Sequence, residues 1–333
     1  MEEKIIDLKT PKKAFSTIGF ALCIYIAVGI LVQLAFVNLP GLIFGYDNWY
    51  YNTTWGQWIS SFVPMYLFAL PVFALIMRLL PASKPTVNKL GFGKMFQYFL
   101  ISYCIIYAGN IIGNVLSFVF SAGKAQNPIS DLAMDTNPLK VVVMVILAPI
   151  FEELIFRKLI LDRIGKYGEK TAIILSAFAF GLLHQNLFQF FYAFGVGLIF
   201  GYIYMRSGKI RYSIILHTII NFMGSVIAPW LLKLIDLEKL LNLTQSAASE
   251  EILTYLIEIL PGLLIYFAYT FILYAVVIAG FVLLIIKLTR FKWNQTENDL
   301  PKGTVIKTAY LNPGMILYIL VCAVFFVLSL FKY

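Results

Sequence analysis

"APIFEELIFRKLILDRIGKYGEK", residues 148–170, begins as an apolar helix, then sets two carboxylates, Glu152 and Glu153, side by side and follows them with Arg157. Upstream, residues 139–151 carry Lys140 as their only charge. Downstream, Arg157, Lys158, Arg163, Lys166 and Lys170 form a cationic cluster. The stretch therefore reads as the end of a membrane span with two acids inside its apolar layer, where each ionised carboxylate costs at least about 2.5 kcal/mol.

The rest of the chain agrees. Its 333 residues are 60% hydrophobic and 13% charged, with a mean hydropathy of +0.84, which excludes an ordinary soluble domain. Apolar segments long enough to cross a core about 30 Å thick occur near 15–38, 57–80, 95–120, 139–160, 171–187, 188–206, 212–233, 260–286 and 314–331. They lack the alternation of barrel strands, so they are expected to be helices. The fold class is all-α, a polytopic transmembrane bundle of about nine spans forming one integral membrane domain.

Lys and Arg fall in every second loop. They precede the first span and follow the second, fourth, sixth and eighth, while the intervening loops are poor in cations or acidic. The positive-inside rule then predicts a cytoplasmic amino terminus and an external carboxyl terminus. The net charge of +9 is accounted for by these loops, and nucleic acid is not an expected partner. The first span reads as a retained signal anchor. Cys23, Cys104 and Cys322 all fall in apolar spans without CxxC spacing, which implies buried packing and no disulfide framework.

Ionisable groups inside the apolar layer mark functional sites. Besides Glu152 and Glu153 they are His184, in "FAFGLLHQN", and His217, in "ILHTIINF", the two histidines of the chain. His217 and Asn221 share a helix face at i, i+4, as do Glu153 and Arg157. Glu152 is rotated about 100° from Glu153. Glu153 can thus be neutralised by Arg157 as a structural ion pair while Glu152 faces a cavity. By helical rise, His217 lies roughly 9 Å from the edge at Arg211 and His184 roughly 20 Å from the edge at Thr171. The two meet if residues 157–170 stay helical and partly embedded, or if the fifth span tilts.

"EELIFR" fits E-E-x-x-x-R, "FGLLH" fits F-x-x-x-H through Phe180 and His184, and "HTIIN" fits H-x-x-x-N through His217 and Asn221, in that order. Over about residues 139–230 the chain resembles the CPBP intramembrane endopeptidase family, which contains the CAAX prenyl protease type II (Rce1-like) proteins and bacterial Abi proteins. The resemblance implies a CPBP-like catalytic core at 139–230, with amino-terminal transmembrane helices of no recognised function at 1–138. An external loop and the last transmembrane helices would make up 231–333. It implies that Glu152 activates water with help from His184, and that His217 and Asn221 stabilise the oxyanion, with Glu153 and Arg157 completing the motif.

The implied function is hydrolysis of a peptide bond in a membrane-associated peptide or protein near the cytoplasmic face, in a bacterial plasma membrane, from a water-filled cavity opening to the cytoplasm. A non-catalytic scaffold that binds a partner protein is the alternative, and a transporter a third reading. No cofactor is expected; a zinc ion would use Glu152, His184 and His217. Gly197 and Gly201 read as close helix packing, "YDNWYYNTTWGQW" (46–58) as an external aromatic belt, and 234–258 as an external amphipathic helix.

Overall fold

The computed structural model describes residues 8–235, 249–290, 292–296 and 298–331. Apolar runs with no water to bond their backbone groups must satisfy them along their own axis. The chain does so in α1 (Lys9–Phe44), α2 (Thr54–Met77), α3 (Phe92–Ser121), the short α4 (Pro128–Met134) and α5 (141–164). There follow α6 (Glu169–Leu183), α7 (Leu187–Ser207), α8 (Ile210–Lys233), α9 (Ser249–Leu288) and α10 (Pro313–Phe331). Among the described residues there is no strand.

Seven of these helices, α1, α2, α3, α7, α8, α9 and α10, are long and apolar enough to cross a bilayer. The fourth and fifth expected spans are present as α5 and α6, but they differ in kind. The charges of α5 lower its hydropathy, and α6, at 15 residues, rises only about 22 Å. Much of the outer surface is apolar. α9 packs on α3 and turns Leu264, Phe267, Phe271 and Ile278 outward, as a lipid-facing helix does.

Small residues set the closest approaches. α1 and α10 touch at Gly19 and Gly314, where a Cβ on either would collide with the other's backbone. Gly197 and Gly201 face α6, where a Cβ would meet Ala177 Cα at 3.0 Å and Ile173 Cγ2 at 3.2 Å. This pair is helix packing, as its spacing predicts. The three cysteines are unpaired.

Three helices widen by one residue immediately before a proline. Leu70 N–H reaches Met65 C=O, Ala148 N–H reaches Val143 C=O and Ala228 N–H reaches Met223 C=O, each five residues back; the next residues are Pro71, Pro149 and Pro229. A proline brings no N–H and crowds the carbonyl four residues earlier, so the helix loosens locally. In α5 the next carbonyl of the five-back series is that of Met144. Its backbone donor would have been residue 149, and it is left free.

The basic loops gather at one end of the bundle. There Arg206 pairs with Glu169 at 2.8 Å, Asn88 Nδ2 donates to Arg206 C=O at 3.2 Å, and Leu300 N–H donates to Tyr167 C=O at 3.3 Å. At the other end the 122–140 segment, which includes α4, is fastened to the start of α2. The Trp58 indole donates to Asp135 at 2.6 Å and Asn137 Nδ2 to Thr54 Oγ1 at 3.0 Å, and Lys140 Nζ donates to Ala133 C=O at 3.0 Å. The aromatic 46–58 stretch packs ring on ring through Tyr46, Trp49, Tyr50 and Tyr51, while Trp58 is buried. The expected surface helix over 234–258 is revised in part. Residues 236–248 lie outside those described, and 249–258 form the first turns of α9 itself.

Burial pushes the Asp135 carboxyl upward, but bonds from Asn137 N–H, the Trp58 indole and the Thr54 hydroxyl together hold it below its ordinary value of 3.8. A depressed pKa contributes stability above the unfolded value and loses it as pH falls through the folded one. The fastening should therefore be intact near neutrality and weaken only below about pH 4. Asp135→Ala is expected to raise amide exchange over residues 128–137 about tenfold at pH 7, the loss of a charged hydrogen bond. Unchanged exchange would remove Asp135 from this role.

Candidate active site

α5 delivers its two acids to different surroundings. Glu153 is wholly buried. Its Oε2 accepts from Arg157 Nε at 2.9 Å and its Oε1 from Arg157 Nη2 at 3.3 Å. Arg157, equally buried, also reaches Ser176 Oγ at 3.4 Å, and Ser176 in turn donates to Phe156 C=O at 2.9 Å. The guanidinium lies 5.2 Å from the Phe180 ring centre and 5.9 Å from that of Phe200. A buried ion pair survives only with close geometry and its remaining donors engaged; the second carboxylate oxygen and the two aromatic faces help to supply that.

Glu152, one residue earlier, lines a cavity of about 390 Å³ together with His184, His217 and Asn221. The two histidines that depth alone does not align thus meet, because the helix beginning in α5 continues through a last tight turn at Gly165–Tyr167 before α6 begins. His217 stands between the acids, with Nδ1 3.2 Å from Glu153 Oε1 and Nε2 3.6 Å from Glu152 Oε2. A paired carboxylate accepts, so Nδ1 of His217 donates to Glu153 and Nε2 is turned to Glu152. His184 Nδ1 is 2.9 Å from Phe180 C=O. A carbonyl only accepts, which places the proton on Nδ1 and leaves Nε2 as an acceptor. The Phe180 ring lies 4.9 Å from the His184 ring and 6.0 Å from that of His217.

Asn221 does more than its spacing suggests. Its Nδ2 donates to the Met144 carbonyl at 2.8 Å, the carbonyl freed by Pro149. The residue thus ties α8 to α5 at the widened turn above Glu152 and keeps its second N–H for another acceptor.

The lining continues from Glu152 to Ala148 and Met144 on α5, from His217 to Gly224 and Ser225 on α8, and onto Asn127, Ile129 and Ala133 at α4. The cavity therefore extends toward the end opposite the basic loops.

Among the described residues no group of three or more His, Cys, Asp and Glu is arranged to hold a metal ion. Nδ1 of His184 is held by Phe180 C=O and Nδ1 of His217 by Glu153, so each ring is fixed with its Nε2 as the remaining polar atom.

Gln189 and Tyr192 also line the cavity and were not singled out from the sequence. Asn186 accepts from Gln189 N–H at 2.9 Å and donates to its Oε1 at 2.9 Å, and Gln189 Nε2 donates to Tyr192 OH at 2.9 Å. The spacing Asn186-x-x-Gln189 is a helix-start signature that points to this arrangement.

Comparison with known proteins addresses the same stretch. The sequence model of a family described as type II CAAX prenyl endopeptidase Rce1-like matches residues 135–223, which hold all seven motif positions. A protein of Bacillus subtilis strain 168 named "Putative membrane peptidase YdiL" is 30% identical over 177 residues, covering 50% of this chain and 69% of that protein. The chain belongs to the CPBP family. No solved structure matches it. As a CPBP protein with seven clear spans among its described residues, it is an integral membrane protein of a peptidase family whose substrates are membrane-associated.

Proposed function

We propose that this CPBP protein is an endopeptidase that hydrolyses a peptide bond of a membrane-associated peptide or protein, with Glu152 as general base and without a metal ion. One observation carries the reading: of two adjacent acids, Glu153 is locked to Arg157 while Glu152 lines the cavity beside both histidines. Glu152 takes a proton from water as the water oxygen attacks the peptide carbonyl carbon, then returns it to the departing amine. His184, with Nδ1–H held by Phe180, accepts from the same water through Nε2 and orients it. The oxyanion is received by His217 Nε2–H, the ring being held through Nδ1 by Glu153, and by the second N–H of Asn221. Preplaced donors in a site shielded from bulk water stabilise such charge by several kcal/mol.

The basic loops support a cytoplasmic amino terminus, and the Bacillus relative supports a bacterial plasma membrane. In that orientation the cavity lining runs from Glu152 toward the outer half of the bilayer.

The test is His217→Ala in purified protein. Turnover should fall roughly 100- to 1,000-fold with little change in KM, as for loss of an oxyanion donor, and wild-type activity should survive exhaustive chelation. Stoichiometric zinc in the active protein, with activity lost on its removal and regained on its return, would overturn the metal-free reading.

A further inference from the structure

At the basic end of the bundle a second cavity, of about 710 Å³, lies between the start of α6 and the segment joining α9 to α10. Three exposed lysines, Lys170, Lys292 and Lys302, line it together with the half-buried Ile174, Val305 and Tyr310. None of the three lysines is paired with a carboxylate among the described residues. The acid in the lining is Asp299, whose Oδ1 accepts from Thr296 N–H at 2.9 Å. Three cations against one acid leave the cavity cationic.

The walls are held in place. Thr296 Oγ1 donates to Lys166 C=O at 2.8 Å, and Leu300 N–H to Tyr167 C=O at 3.3 Å. Arg206, clamped by Glu169, donates to Lys292 C=O at 2.7 Å. The energy of keeping three like charges around one cavity is not offset by any partner described above. Clustered lysines at the cytoplasmic edge of transmembrane helices are the usual receptor for an anionic headgroup, and an apolar wall beside them suits acyl chains.

We propose that this cavity binds one anionic phospholipid, its phosphate among Lys170, Lys292 and Lys302 and its chains against Ile174, Val305 and Tyr310. A free phosphate would use the lysines alone; the apolar wall selects the lipid. The site lies apart from Glu152 and does not depend on the proposed chemistry.

Native mass spectrometry of the full-length protein in detergent tests this with added phosphatidylglycerol or phosphatidylcholine. One phosphatidylglycerol should be retained in preference to phosphatidylcholine. The triple variant K170Q/K292Q/K302Q should bind it about 100-fold more weakly, at about fivefold per lysine, while the matching Lys→Arg variant retains it. K84Q/K89Q/K94Q, which removes the same charge from exposed positions at the same end, should bind as wild type. If the triple Gln variant does not fold, K302Q alone should show the fivefold loss. Equal retention of both lipids, undiminished binding by the Gln variants, or equal thermal protection by inorganic phosphate would each overturn the proposal.

Discussion

Exchange of Glu152 for glutamine is expected to lower peptide cleavage by about 100- to 10,000-fold, the range for loss of a general base, in a protein that still accumulates and melts as wild type. The amide preserves the shape of the side chain in the cavity wall and removes only its capacity to take a proton. The effect should appear in turnover rather than in KM, because no substrate contact is lost. Comparing peptides in membranes carrying wild-type protein with those carrying Glu152→Gln would also reveal the substrate, as the species that persists only in the variant. Near-normal turnover in purified Glu152→Gln would end the general-base assignment. A biological role that survives the substitution would favour the scaffold reading instead.

The second large effect is on stability. Arg157→Ala leaves the buried Glu153 carboxylate without its guanidinium partner, and breaking a buried pair by deleting one partner costs about 3–5 kcal/mol. The yield of folded protein and its Tm should fall together. Removing both charges, Glu153→Gln with Arg157→Met, should recover much of the loss, because a matched apolar replacement of a buried pair is often close to neutral. That double variant should remain slow, since His217 loses the carboxylate that holds Nδ1. A normal Tm for Arg157→Ala would show that the pair contributes little.

The spans and the acid pair were legible because both depend on local periodicity: apolar length for the former, the i, i+4 offset of Glu153 and Arg157 for the latter. The meeting of His184 with His217 was not, because it depends on how far the helix begun in α5 continues before α6 starts. No local pattern encodes the level at which long-range contacts such as the Glu169 to Arg206 bridge fix two helices. The link from Asn221 to Met144 was hidden for a related reason. Pro149 stood in plain view, but which carbonyl it orphans depends on whether the helix in front of it keeps its ordinary pitch or widens. The direction of the cavity required knowing that α4 folds back over it, which rests on single bonds from Trp58 and Thr54 far away in sequence.

The offset of four residues between Glu153 and Arg157 has a consequence for biogenesis. A cation and an anion on separate helices would each have to enter lipid alone and wait for the other. Here both sit on successive turns of one helix, and their bond closes as soon as that helix coils. The segment can therefore pass from the insertion machinery into the bilayer with one of its two acids already matched, before any neighbouring helix has arrived. Separating the pair by one inserted alanine should then impair membrane integration of the isolated segment itself, at a stage when no cavity or neighbouring span yet exists to be disturbed.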